Sequence, residues 1–134
     1  MTPATAPLCI LTAASAETLP AGLLHRALAV SLSFPPFEAE VEILMRHVTG
    51  LTRPLAAQIA NVVGRLRLHP LHVRPGLAES LDWARALVAL RATGLSPALM
   101  DQTAGCILKD ARDIDRMRGA GLAGLLGGGM DRLG

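Results

Sequence analysis

Histidines, carboxylates and thiols are the residues of this 134-residue chain that could carry out chemistry. His69 and His72 flank Pro70 and Leu71, a spacing that would offer two imidazole ligands to a metal ion. No nearby cysteine or carboxylate completes a tetrahedral set around them. The pair therefore predicts a solvated connector, and we expect no metal site.

A second group lies in residues 110–118, where acidic and basic side chains alternate. Its members are Asp110, Arg112, Asp113, Asp115, Arg116 and Arg118. Such alternation is typical of a solvated helix end rather than of an acid–base pair. The two cysteines, Cys9 and Cys106, lie far apart in apolar runs, which favours buried free thiols in a reduced compartment over a disulfide.

Composition limits the classes of function. The chain is 51% hydrophobic but has only one Trp, two Phe and no Tyr, so its core must consist mainly of aliphatic side chains. The net charge of +2 and the lack of a basic, aromatic-rich stretch argue against nucleic-acid binding. No lysine or arginine precedes Arg26, so a secretory signal is not predicted, and no apolar stretch suits a membrane span. We expect a cytoplasmic protein.

The elements that would position these residues are mostly helical. From Phe37 onward apolar residues recur with a period near 3.6, and helices are predicted from Phe37, Thr52, Pro75 and Pro97. The helix that begins at Pro75 has the widest apolar face and should be central, with Trp83 in the core. The last helix should fray after about Arg118 because residues 119–129 contain six glycines.

Two short strands are predicted before these helices. Residues 8–13 form an apolar run with Ile10 and Thr12, as in a buried strand. Residues 29–34 alternate larger apolar and small side chains with period two. The predicted fold class is mainly α, with two short β-strands followed by a four-helix bundle. A short helix or turn is predicted between the strands, over residues 19–27. The predicted domains are residues 1–36, with the two strands and this short helix, the helical residues 37–118, and a flexible Gly-rich tail, 119–134.

Several of these stretches resemble a known family. Residues 75–87, Pro-Gly-Leu-Ala-Glu-Ser-Leu-Asp-Trp-Ala-Arg-Ala-Leu, resemble the helical lid of MoxR-type AAA+ ATPases, in particular the branch similar to the carbon monoxide dehydrogenase accessory protein CoxD. Pro-Leu-Cys-Ile-Leu-Thr (7–12), Leu-Leu-His-Arg-Ala (23–27) and Phe-Pro-Pro-Phe-Glu-Ala-Glu (34–40) follow the order of that family. Residues 103–110 continue the likeness, which covers roughly residues 7–116.

The resemblance implies the C-terminal part of an AAA+ module, from the sensor 1 strand through the helical lid. Such ATPases are ATP-driven chaperones that mature metalloenzymes, bind ATP and magnesium, and commonly work with a von Willebrand factor A domain protein. This chain contains no Gly-x-x-x-x-Gly-Lys-Ser/Thr motif (Walker A), and its only lysine is Lys109. It also lacks a strand ending in Asp-Glu (Walker B) that would hold magnesium. We therefore expect no ATP hydrolysis and no cofactor for the chain alone. A truncated or mis-started gene, a decayed paralogue and a separate lid module all fit.

Family site residues carry over at few positions. Arg26 resembles an arginine finger, which would place a guanidinium on the γ-phosphate of a neighbouring subunit. Arg74 is a weaker match to sensor 2, and Ala14 stands where the family has an asparagine that orients water. The alternative reading is a stand-alone, non-catalytic helical adaptor that binds a protein partner. The partner expected in the first reading is an AAA+ subunit or a von Willebrand factor A domain protein.

The two strands raise a separate expectation. Without a neighbouring strand, each would expose unpaired backbone groups. They should either pair with each other in a ribbon or pair between chains, which would make the protein a homo-oligomer.

Overall fold

The computed structural model describes residues 4–127, and the chain divides into two compact units, Met1–Ser33 and Phe34–Gly134. The division falls three residues before the predicted boundary. All regular structure in residues 4–127 is helical, so the prediction of a mainly α protein is confirmed.

The first unit has little regular structure within residues 4–33. It contains a 3₁₀ turn, Ala16–Thr18, and one short helix, α1 (Ala21–Leu24). Ser15 caps the turn, since its Oγ accepts a hydrogen bond from the Glu17 N–H at 3.2 Å. None of residues 4–33 is buried, so this part of the chain has no core.

The two predicted strands are absent from the described residues, and that part of the predicted fold class is wrong. Residues 8–13 and 28–33, called here the N-terminal apolar segments, form no backbone-to-backbone hydrogen bond within residues 4–127. Their apolar side chains face solvent: Leu8, Ile10, Leu28 and Leu32 are each at least 81% exposed. The strand pattern is present in the sequence, but a strand forms only beside another strand.

The second unit begins with a pair of amphipathic helices joined by a short loop. Helix α2 (Phe37–His47) follows Pro36, and α3 (Arg53–Leu66) has a proline in its first turn, where a missing N–H costs nothing. Gly50 between them has φ +83°, a conformation that favours glycine. The two helices pack against each other through a core that includes Leu44, Ile59 and Val63.

Helix α4 (Leu77–Ala89) is the central helix that the sequence predicts, because it contacts α2, α3 and α5. It begins two residues after Pro75, where the Glu79 carboxylate accepts a hydrogen bond from the Gly76 N–H at 2.8 Å. The indole of Trp83 is 1% exposed and donates to Thr103 Oγ1 at 2.8 Å. The prediction that Trp83 belongs to the core is confirmed.

The predicted fourth helix is divided into two. Helix α5 (Pro97–Ile107) is capped by Ser96, and α6 (Ala111–Met117) is capped by Asp110, whose Oδ1 accepts from the Arg112 N–H at 2.9 Å. Leu108 lies between them in an extended conformation and is buried, so the chain turns there to keep an apolar side chain in the core. The cap at Asp110 then starts a new helix.

The Gly-rich stretch after residue 118 differs from the predicted flexible tail. Helix α7 (Ala120–Leu126) follows Gly119, which has φ +67°. Leu122 and Leu125 are buried, and α7 packs against α3, α5 and α6. Burial of these leucines offsets the low helix propensity of the glycines. Residues 128–134 of the predicted tail lie outside the described residues.

Candidate functional site

The second unit contains a buried polar cluster of three residues, called here the Glu40 network. Glu40 lies in the first turn of α2, Arg67 directly after α3, and Ser80 in the first turn of α4. Arg67 donates from two guanidinium nitrogens to the two Glu40 carboxylate oxygens, at 2.8 and 3.0 Å. Ser80 Oγ donates to Glu40 Oε1 at 2.6 Å.

Burial makes this network costly unless every polar group is paired. Glu40 is 1% exposed, Arg67 8% and Ser80 0%. Removing a carboxylate and a guanidinium from water costs several kcal/mol for each, which only close, bidentate pairing offsets. No buried side-chain nitrogen or oxygen in the described residues lacks a hydrogen-bond partner. The network therefore fixes the relative placement of three helices.

Arg67 also extends the network to the connector before α4 and to the start of α2. Its Nε donates to the Pro75 carbonyl at 2.8 Å, so three hydrogen bonds hold the guanidinium in one orientation. Its Cζ lies 4.3 Å from the centroid of the Phe34 ring, in cation–π geometry. Arg67 is thus a planar, preorganised cation with an aromatic ring on one face.

A cleft of about 300 Å³ opens beside the network and is called here the α3 cleft. It is lined by Pro35 and Phe37, by Ala60, Asn61 and Gly64 of α3, and by the charged residues Glu40, Arg65 and Arg67. Arg65 is itself held in place, because one of its guanidinium nitrogens donates to the Leu125 carbonyl. The cleft combines apolar walls with two oriented arginines, which is the character of a binding pocket.

A second buried carboxylate, Asp113 of α6, fastens the connector at residues 72 and 73. Asp113 Oδ1 accepts from the His72 N–H at 3.0 Å, and Oδ2 accepts from the Val73 N–H at 3.0 Å. His72 Nδ1 lies 2.9 Å from Oδ1, within hydrogen-bond distance. Desolvation raises the pKa of Asp113, but hydrogen bonds from His72 and Val73 outweigh it, so the pKa lies below its ordinary value. The prediction of a wholly solvated helix end is wrong for this residue.

These contacts bear on a metal site. Ligand atoms of His72, Asp110 and Asp113 lie within 4.8 Å of one another. However, both Asp113 oxygens accept hydrogen bonds from the connector, and both Asp110 oxygens accept from Arg112. A cation would have to displace them. The cluster is better explained as a clamp on the connector than as a metal centre.

The two arginines that the resemblance singles out lie in different units. Arg26 follows α1 and is exposed, and Arg74 is exposed on the connector before α4. Within residues 4–127 neither side chain forms a hydrogen bond or an ion pair to another residue. The N-terminus of α4, two residues after Arg74, already carries the Glu79 carboxylate on the Gly76 N–H. The roles of Arg26 and Arg74 stay predictions.

Sequence reasoning missed the importance of Glu40, Arg67 and Asp113. A signal was present for Glu40, because it lies three residues after Phe37 and four before Leu44, on the apolar face of α2. Arg67 likewise lies four residues after the core residue Val63. When two neighbouring helices each carry a charged residue at a core position, and the charges are opposite, the sequence predicts a buried ion pair.

The two cysteines differ in burial. Cys106 is half-buried and packs against the core, whereas Cys9 is exposed in the first unit. The prediction of a buried thiol is therefore wrong for Cys9, because the strand that would have buried it does not form in residues 4–127.

Comparison with protein-family models, with curated proteins and with solved structures finds no match to this chain. Among the described residues, no helix has the length and apolar character needed to cross a membrane.

Proposed function

We propose that this chain is a lid-type module of a MoxR-type AAA+ ATPase that docks on an α/β ATPase core and does not hydrolyse ATP alone. The resemblance in residues 7–116 supports the family, and the self-contained helical core of the second unit suits a lid. In this proposal the core supplies the ATP and magnesium sites, and the setting is the cytoplasm. A von Willebrand factor A domain protein is a further partner.

The observation that carries the docking proposal is the state of the N-terminal apolar segments. Their large apolar side chains are exposed, and their backbone groups form no hydrogen bonds to other backbone groups within residues 4–127. Burying these segments on a helical surface would leave their N–H and C=O groups unpaired, at about 1–3 kcal/mol each. A protein partner that offers both an apolar surface and backbone hydrogen-bonding groups would cover the side chains and pair the backbone groups together.

Both segments offer large exposed apolar side chains to a partner. The first carries Leu8, Ile10 and Leu11, and the second carries Leu28, Val30 and Leu32. In the docked complex Arg26, which lies between the segments, would stabilise phosphate charge at a neighbouring site.

A phosphate-release assay tests the catalytic half of this proposal. The purified chain with ATP and magnesium should release no phosphate above a contaminant control, because it has no phosphate-binding loop. Magnesium-dependent turnover that is lost in an Arg26→Ala variant would contradict the proposal. The Arg91→Ala variant, which removes an exposed arginine of the second unit, is the matched control.

The second candidate function is a stand-alone helical adaptor that never meets nucleotide. Ala14, in place of the family asparagine, favours it, since the family uses that asparagine to orient water. The genomic DNA upstream of the Met1 codon separates the two readings. An in-frame phosphate-binding loop there favours the ATPase, and a stop codon followed by a separate ribosome site favours the adaptor.

A further inference from the structure

Both phenylalanines of the chain lie at the α3 cleft or on an arginine that lines it, and both are partly exposed. Phe34 is 47% and Phe37 44% exposed, although the chain has only three aromatic residues. The third, Trp83, is in the core. Aromatic side chains, phenylalanine included, and arginines are enriched at the centres of protein interfaces.

Gly64 lines the cleft, and the packing around it does not require a glycine. A Cβ at Gly64 would meet no atom within 4 Å, and the residue lies inside α3. Glycine lowers helix stability at such a position relative to alanine. The consequence of glycine here is a bare backbone surface beside Ala60 that a flat group can approach closely.

The charged groups of the cleft suit a π-system. Arg67 is locked by Glu40 and the Pro75 carbonyl, and Arg65 is held by the Leu125 carbonyl. Glu40 neutralises Arg67, and Arg65 leaves the lining of the cleft with a net positive charge. A guanidinium plane attracts the face of an aromatic ring. Arg67 already has Phe34 on one face and is 8% exposed, so the half-buried Arg65 is the guanidinium that a partner's ring would meet.

We infer that the α3 cleft is a docking site for an aromatic side chain of a protein partner. A volume of about 300 Å³ is at the small end of ligand pockets, so it fits one side chain better than a nucleotide or a cofactor. This site belongs to the second unit alone and is independent of the N-terminal apolar segments.

The test uses the full chain and amino-acid amides as models of a partner side chain. In ¹H–¹⁵N NMR titrations, N-acetyltryptophanamide should give saturable shifts at the amides of Ala60, Asn61 and Gly64. N-acetylleucinamide, which has the same backbone but no ring, should bind at least tenfold more weakly. Adenosine should also bind more weakly than the tryptophan amide.

Two substitutions make the test specific. Gly64→Leu fills the cleft, has space for its Cβ and should abolish the saturable shifts while the chain melts at the same or a higher temperature. Gly105→Leu is the matched control, because Gly105 is also a helical glycine, on α5, with no atom within 4 Å of an added Cβ. It should leave binding unchanged.

Four results would overturn the inference. They are the absence of saturable shifts with the tryptophan amide, equal binding of the leucine amide, unchanged binding by a folded Gly64→Leu variant, and tighter binding of adenosine. The last would assign the cleft to a base-containing small molecule in place of a protein side chain.

Discussion

Glu40 lies in the core, where Arg67 and Ser80 donate hydrogen bonds to its carboxylate, so its removal should greatly lower the stability of the fold. Replacing Glu40 with alanine leaves a buried, unpaired guanidinium, and we expect a loss of about 3–5 kcal/mol in the free energy of unfolding. Urea denaturation followed by circular dichroism measures it. The control is Glu42→Ala on the same helix, because Glu42 pairs with Arg53 at 2.7 Å on the surface and should contribute little.

Asp113 predicts a pH dependence of stability. The ordinary pKa of an aspartate is 3.8, and that of Asp113 lies lower in the folded chain. Between these two values the unfolded state binds a proton that the folded state does not, so stability falls as the pH falls. The contribution is complete above pH 3.8 and is lost as the pH passes through the lower, folded-state pKa.

An Asp113→Asn variant should therefore lose less stability between pH 5 and pH 2 than the wild-type chain does. Asp110 adds its own acid dependence, since the Arg112 guanidinium lowers its pKa, so the slope is reduced and not abolished. Asp115→Asn, on an exposed position of the same helix, is the comparison. Identical pH profiles for wild type and Asp113→Asn would rule out the clamp.

Helix α7 differs most from the sequence-based prediction, which was a flexible tail. Its glycines indicate fraying, but Leu122 is 1% exposed and contributes to the core. Leu122→Ala should cost about 2–5 kcal/mol of unfolding free energy, as for other buried leucines. Leu126→Ala, at a half-buried position of the same helix, should cost less. Equal and negligible effects would show that α7 does not belong to the folded core.

Elements differ in how far local sequence determines them. The helices that begin at Phe37 and Pro97 start where the sequence predicts, because prolines and caps act locally. The break between α5 and α6 was missed because it depends on burying Leu108, a tertiary effect. The two predicted strands are absent for a related reason. The apolar pattern of a strand is a local property of the sequence, whereas its hydrogen-bond partner is another strand, which no local pattern supplies.

The candidate site was harder to predict than the fold. In the Glu40 network, Arg67 lies 27 positions and Ser80 lies 40 positions after Glu40 in the chain. In the clamp, Asp113 lies 41 positions after His72 and 40 after Val73. No local pattern encodes such pairings. The single-residue signal, a charge at a core position of a helix, singles out Glu40 and Arg67 but not Ser80 or the Asp113 clamp.

For the whole molecule, the N-terminal apolar segments should decide the state of association. With no partner present, the full chain should associate through them, because they expose apolar side chains and unpaired backbone. A shortened chain that begins at Phe34 should be monomeric, since the buried apolar core of the described residues lies within positions 41–125. Light scattering over a range of concentrations measures this, and two monomeric species with equal melting temperatures would contradict it.

The central claim, that the chain docks on an ATPase core through these segments, is tested most directly by sedimentation velocity. The chain is mixed with the α/β half of a MoxR-type ATPase, cut after its magnesium-binding strand. We predict a one-to-one complex that the full chain forms and the chain beginning at Phe34 does not. No complex with the full chain, or equal binding by the shortened chain, would contradict the account.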